Sequence, residues 1–152
     1  MEQSVGPSRF AFVDTNVLIY AFDASEPKKH ATAASLVESL LLSGRLVLSA
    51  QVLNEFYWAS TRPHRKTPLS HQVAAKAVDG FAQRAKIISL DAELTLVALR
   101  AVEEHNLSFW DALIWAAAKA AGVDVIYSED FQDGRELESV RFLNPFRAKK
   151  LP

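Results

Sequence analysis

The chain has 152 residues, a formal net charge of -1, 49% hydrophobic and 23% charged residues, and no cysteine. This length fits one domain that buries roughly 70% of its unfolded surface, and the lack of cysteine excludes disulfides, thiol nucleophiles and Cys-based zinc sites. There is no general basic excess to attract nucleic acid, so any such contact rests on a local patch.

Residues 1–9 are polar, with Gly6 and Pro7, and are expected to form a flexible N-terminal segment. Phe10, Ala11, Phe12 and Val13 then read as a strand buried on both faces, over 10–14, followed by a helix over about 15–22. Pro27 marks a second helix, about 28–43, with Ala33, Leu36, Val37, Leu40 and Leu41 at helical spacing and Gly44 as its C′ residue. RLVLSA at 45–50 is a short buried strand, and 51–60 is a helix that stops before Pro63. After the basic loop come a helix at 70–85, a strand at 86–90 and a helix capped by Asp91 that runs to about His105. A helix at 108–122 closed by Gly122, a strand at 123–128 and a last short strand near Val140–Leu143 complete the order. Strands alternating with helices predict an α/β fold with a mostly parallel sheet of four to five strands flanked by helices. Neither GxGxxG nor GxxxxGK[ST] occurs. No apolar run reaches the ~18 residues of a membrane helix, and the N-terminus has no signal-peptide core. A cytoplasmic protein with no membrane contact is expected.

Four acids stand where the pattern does not ask for them. Asp14 lies at the carboxyl end of the first strand, the edge at which open α/β sheets bind ligands. It also reads as a helix N-cap. Glu55 shares the inward stripe of Val52, Phe56 and Ala59, with no basic residue three or four positions away to pair with it. A salt bridge to a more distant Lys or Arg is the alternative. Asp111 shares a stripe with Ile114, Trp115 and Ala118, but also has roughly capping-box spacing from Ser108. Asp130 lies past the end of the fourth strand, flanked by Glu129 and Asp133 in an acidic loop that is otherwise simply solvated. All four can reach one edge of the sheet. Packed together they raise one another's pKa values, and a divalent cation is the simplest relief. Oxygen-only ligation fits Mg²⁺ or Mn²⁺, which suits metal-assisted phosphodiester hydrolysis.

With these residues in place, the chain resembles the PIN-domain ribonucleases, and among them the VapC-type toxins of toxin–antitoxin pairs. The resemblance runs over about 10–146, through FVDTNVLIYAFD, QVLNEFY, FWDALIWAAA, YSEDFQDGREL and FLNPF. It implies a single PIN domain, with 147–152 left as a basic tail. It also implies an acidic site binding Mg²⁺ or Mn²⁺, endonucleolytic cleavage of RNA, a protein antitoxin and a homodimer. It places the catalytic and metal-binding quartet on Asp14, Glu55, Asp111 and Asp130, with Thr15, Asn16 and Ser128 in support and Asp133 as a further accessory candidate.

Arg62, His64, Arg65 and Lys66 form a basic loop after the Glu55 helix. It reads as a solvated turn or as a grip on RNA, with Arg62, Arg65 and Lys66 the candidate contacts. His30, His64, His71 and His105 show no metal-ligand spacing, and Trp58, Trp110 and Trp115 read as core or interface. Three rival readings remain. One is a phosphoacceptor domain using Asp91, which lacks the acidic pair beside its first strand. The others are a PIN nuclease of RNA processing and a non-catalytic PIN-like module that binds RNA or protein.

Overall fold

The computed structural model describes residues 10–147. The expected N-terminal segment 1–9, and the basic tail apart from Arg147, lie outside the described residues.

β1 (Ala11–Val13) is wholly buried and passes straight into α1 (Thr15–Phe22), with Asp14 the single residue between them. α2 (Pro27–Leu42) starts on a proline, whose fixed φ is preorganised for the first helical turn. It buries Ala33, Leu36, Val37 and Leu40, the helical spacing that the sequence predicts. Gly44, at φ 67°, turns the chain into β2 (Leu46–Ser49) from a conformation that other residues rarely adopt. α3 (Ala50–Ser60) follows without a loop, because Ser49 ends the strand and caps the helix by accepting from Val52 N. Then come α4 (His71–Arg84), β3 (Lys86–Ile88) and α5 (Ala92–His105). α6 (Phe109–Ala120), β4 (Val125–Tyr127), β5 (Glu136–Leu137) and β6 (Val140–Leu143) complete the described chain. Asp91 caps α5 as predicted, its Oδ1 accepting from Leu94 N at 2.8 Å.

The sheet runs β3-β2-β1-β4-β6-β5 and is parallel except for β5, which pairs antiparallel to β6. It has six strands where the sequence predicts four to five. The additional strand, β5, is two residues long and joins β6 through Glu138 and Ser139 at φ 47° and 72°. A two-residue hairpin with both central residues at positive φ is normally written Asn-Gly or Asp-Gly, so Glu-Ser hides it. α6 lies deepest of the helices: Ala112 to Ala118 are all buried, and the alanines let its backbone approach the sheet. Phe56 packs edge-on against Phe22 and Phe81, joining α3 to α1 and α4. No helix among the described residues is long and apolar enough to cross a membrane.

The strand order fixes where a site can form. From β1 the chain builds outward to β2 and β3 on one side and to β4 and β6 on the other. The crevice outside the carboxyl ends of β1 and β4 is therefore the topological switch point, where α/β sheets take ligands.

Candidate active site

Asp14 opens this crevice from the end of β1. It is only 6% exposed. Its Oδ1 accepts from Thr15 N at 2.7 Å and its Oδ2 from the Ser128 hydroxyl at 2.7 Å. It thus serves as the N-cap of α1 while standing at the carboxyl end of β1. Burial pushes its pKa up to about 7. The bonds from Ser128 and Thr15 pull it down, and the charges of Asp130 and Glu55 push it further up.

Ser128, just after β4, joins three predicted residues. Its Oγ donates to Asp14 and accepts from Asp130 N at 3.2 Å and from Asn16 Nδ2 at 3.3 Å. Asn16 Oδ1 accepts in turn from Glu129 N at 3.4 Å. The loop that carries Asp130 is thereby tied to the first turn of α1.

Glu55 sits one turn into α3 with both oxygens engaged. The Thr15 hydroxyl donates to Oε2 at 2.7 Å, and Gln51 Nε2 donates to Oε1 at 2.7 Å. Gln51 is absent from the residues that the sequence singles out. Its Nε2 also donates to Trp110 O at 3.3 Å, so one buried amide joins Glu55 to the residue before Asp111. Gln51 is 4% exposed, and its Oε1 is a buried side-chain atom without a hydrogen-bond partner among the described residues. A glutamine four residues before an inward glutamate was the available signal, since i and i+4 share a helix face.

Asp111 lies in the first turn of α6, with its N–H donating to the Ser108 cap at 3.2 Å. Burial raises its pKa, the Ser108 bond lowers it, and the charges of Asp130 and Glu55 raise it again. Asp14 and Asp111 therefore feel the same two neighbours, which places all four acids in one field.

None of the four has a Lys, Arg or His salt-bridge partner among the described residues, which removes the salt-bridge reading of Glu55. The nearby cations are engaged elsewhere: Lys29 with Glu129 at 3.0 Å and Arg65 with Asp23 at 2.9 Å. An uncompensated, oxygen-only donor set of this kind fits a hard divalent cation such as Mg²⁺ or Mn²⁺. The tightest acidic group lies elsewhere. Among the described residues only Glu104, His105 and Glu138 bring three ligand atoms within 4.8 Å of one another, so the carboxylates of the quartet stand further apart than that. Both Glu138 oxygens are already held at 2.8 Å, by Lys119 and by His105, and that group reads as an exposed ion-pair cluster.

The remaining candidates divide. Asp133 accepts from Asn144 N at 2.8 Å, which ties its loop to the chain just after β6. Arg62 stacks over the Trp58 ring at 3.6 Å and donates to Trp58 O, and Lys66 is exposed. Arg65 folds back onto Asp23, the residue that follows α1.

Two outcomes follow from this geometry. The raised pKa of Asp14 means that the folded chain binds the extra proton between the unfolded value near 4 and the folded value near 7. Its ionisation therefore weakens folding as pH rises through 7, by on the order of 4 kcal/mol once complete. In chelator, Asp14→Asn should melt above the wild type at pH 8, and the gap should close as pH falls towards 4 in a thermal-melt series. Gln51→Ala removes the donor to both Glu55 and Trp110 O, and should lower stability by roughly 1–3 kcal/mol in urea denaturation.

The comparisons agree with this frame. The sequence profile described as PIN domain matches residues 11–135. Among solved structures the fold resembles Mycobacterium tuberculosis VapC20, titled a sarcin-ricin loop cleaving toxin, at 23% identity and a TM-score of 0.60, covering 79% of this chain and 89% of that one. It also resembles a toxin–antitoxin complex from Klebsiella pneumoniae at 17% identity and a TM-score of 0.61, covering 89% and 97%. VapBC2 from Rickettsia felis, bound to a DNA fragment from its promoter, matches at 17% identity and a TM-score of 0.60, covering 88% and 96%. No curated protein sequence matches the chain. With the profile spanning β1 to the loop after β4, the chain belongs to the PIN domain family.

Proposed function

We propose that the protein is a divalent-metal-dependent endoribonuclease, acting in the cytoplasm as the toxin of a toxin–antitoxin pair. The observation that carries this reading is the quartet itself: four carboxylates in one field at the switch point, with no cation beside them among the described residues. Asp14, Glu55, Asp111 and Asp130 would hold the metal. When bound, Mg²⁺ or Mn²⁺ activates water and stabilises the leaving oxygen of a phosphodiester. The protein's own part is orientation. Thr15 and Gln51 fix the two oxygens of Glu55, Ser128 fixes Asp14 and the Asp130 loop, and Asn16 braces Ser128.

Two surfaces suit partners. A groove of about 270 Å³ between α1, α2 and α4, lined by Phe22, Val37, Leu41, Leu42 and Phe81 with Glu38 and Arg84 also in its lining, suits the apolar anchor side chains of an amphipathic antitoxin helix. Trp58 and Trp110 are 60% and 62% exposed, and on that ground we place them at a homodimer interface.

Cleavage of single-stranded RNA should require Mg²⁺ or Mn²⁺ and stop in EDTA. Asp14→Asn, Glu55→Gln, Asp111→Asn and Asp130→Asn should each lower it by at least about a hundredfold, roughly 2.7 kcal/mol of barrier, with an unchanged circular dichroism spectrum. Undiminished cutting in excess EDTA would overturn the metal assignment. Light scattering should give twice the chain mass at micromolar concentration, and Trp58→Ala with Trp110→Ala should shift it towards monomer.

A further inference from the structure

Beside the acidic crevice lies a second depression of about 250 Å³, between α1, the start of α2 and the loop after α3. Asn16 and Glu129 lie on the side nearest Ser128; Ile19, Tyr20, Asp23, Ser25, Glu26 and Arg65 form the rest. The Asn16 amide reaches Ser128, and Ser128 reaches Asp14, so a chain lying in this depression continues directly into the acid site.

Its charges differ in kind from those of the quartet. Asp23 is paired with Arg65 at 2.9 Å, and Lys29 lies 3.0 Å from Glu129 and 3.7 Å from Glu26, so each carboxylate here has a cation beside it, although Glu26 and Glu129 share theirs and one negative charge stays in excess. Asp23 also anchors the basic loop. Its Oδ1 accepts from the Thr67 hydroxyl at 2.8 Å and from Ser25 N at 2.9 Å, while its Oδ2 takes Arg65. The Arg65 side chain, 24% exposed, is thus held in place before any ligand arrives. A guanidinium has five N–H donors. One engages Asp23, and among the described residues no protein acceptor meets the others.

We propose that this depression is the subsite for one unpaired nucleotide next to the cleaved phosphodiester, with Arg65 donating to a pair of acceptors on it. The inference rests on the ribonuclease reading for its substrate class. The volume admits one base with part of its ribose and excludes a duplex. Two acceptor pairs on RNA suit a preorganised guanidinium, the O6 and N7 of guanine and the oxygens of a phosphate. Arginine serves either pair better than lysine does.

The test is binding, which does not depend on turnover. Short single-stranded oligoribonucleotides that differ in one base are titrated by fluorescence anisotropy in the Asp130→Asn background, with and without Arg65→Ala or Arg65→Lys. Arg65→Ala should weaken binding about fivefold or more. If a guanine edge is read, the wild-type loop favours guanine at one position, and both variants erase that preference. If a phosphate is held, all sequences weaken alike, Arg65→Lys restores most of the loss, and the salt slope falls by about 0.7 in Arg65→Ala. Equal affinity and equal base preference in Arg65→Ala, with an unchanged circular dichroism spectrum, overturn the subsite even if the wild type cuts RNA. Weakened binding in Arg65→Ala beside a wild type that cuts no RNA would retain the subsite and reject the nuclease.

Discussion

The structure depends on a carboxylate kept out of water at the end of its central strand. Asp14 is buried between β1 and β4, where an ionised group is costly unless the surroundings answer it. Two donors, Thr15 N and Ser128 Oγ, do part of this, and both come from the ends of neighbouring elements. They are not enough to offset burial and the charges of Asp130 and Glu55, since the pKa stays far above that of a free carboxylate. The surroundings therefore favour the protonated acid wherever no positive charge stands beside it. The same bonds that restrain Asp14 define the architecture. One caps α1, and the other closes the sheet across the switch point.

Around this centre the charges fall into two zones. The quartet has no cation in contact among the described residues, whereas the adjoining acids Asp23 and Glu129 are each matched by one. The arrangement also binds otherwise separate segments. Asp23 fastens the loop after α3 to the junction of α1 and α2, and Lys29 fastens α2 to the loop after β4. The rim of the crevice is therefore assembled from ion pairs between elements far apart in sequence.

Much of this was legible in the chain, because the features concerned are local. Apolar runs gave the five longer strands, helical spacing gave the buried face of α2, and the caps at Asp91 and Ser108 stand where side-chain chemistry puts them. The four acids stood out because each broke a local pattern. What escaped depends on distance or on atypical chemistry. β5 was hidden because its turn uses Glu138 and Ser139 in place of Asn or Gly. Glu138 is braced there by Lys119 and His105, neither of which is its neighbour in sequence. Gln51 passed as an ordinary polar helical residue, because only the approach of α6 makes its amide a bridge. Arg65 read as one charge in a basic run. Its pairing with Asp23 spans 42 positions, beyond any periodicity that a sequence reading can use.

The closing bond of the site, from Ser128 to Asp14, joins residues 114 positions apart. During synthesis the first acid therefore emerges long before the strand that completes its surroundings. A nascent chain that ends before β4 lacks Ser128 and Asp130, and in it the Asp14 edge of the sheet has no neighbouring strand on that side. On the proposed reading, a truncated product of stalled translation is harmless to the RNA around it, and the hazard arises only when the last third of the polypeptide has been made. On that same reading, this order of the chain leaves an interval, set by elongation and folding, in which an antidote could be present before the proposed nuclease is.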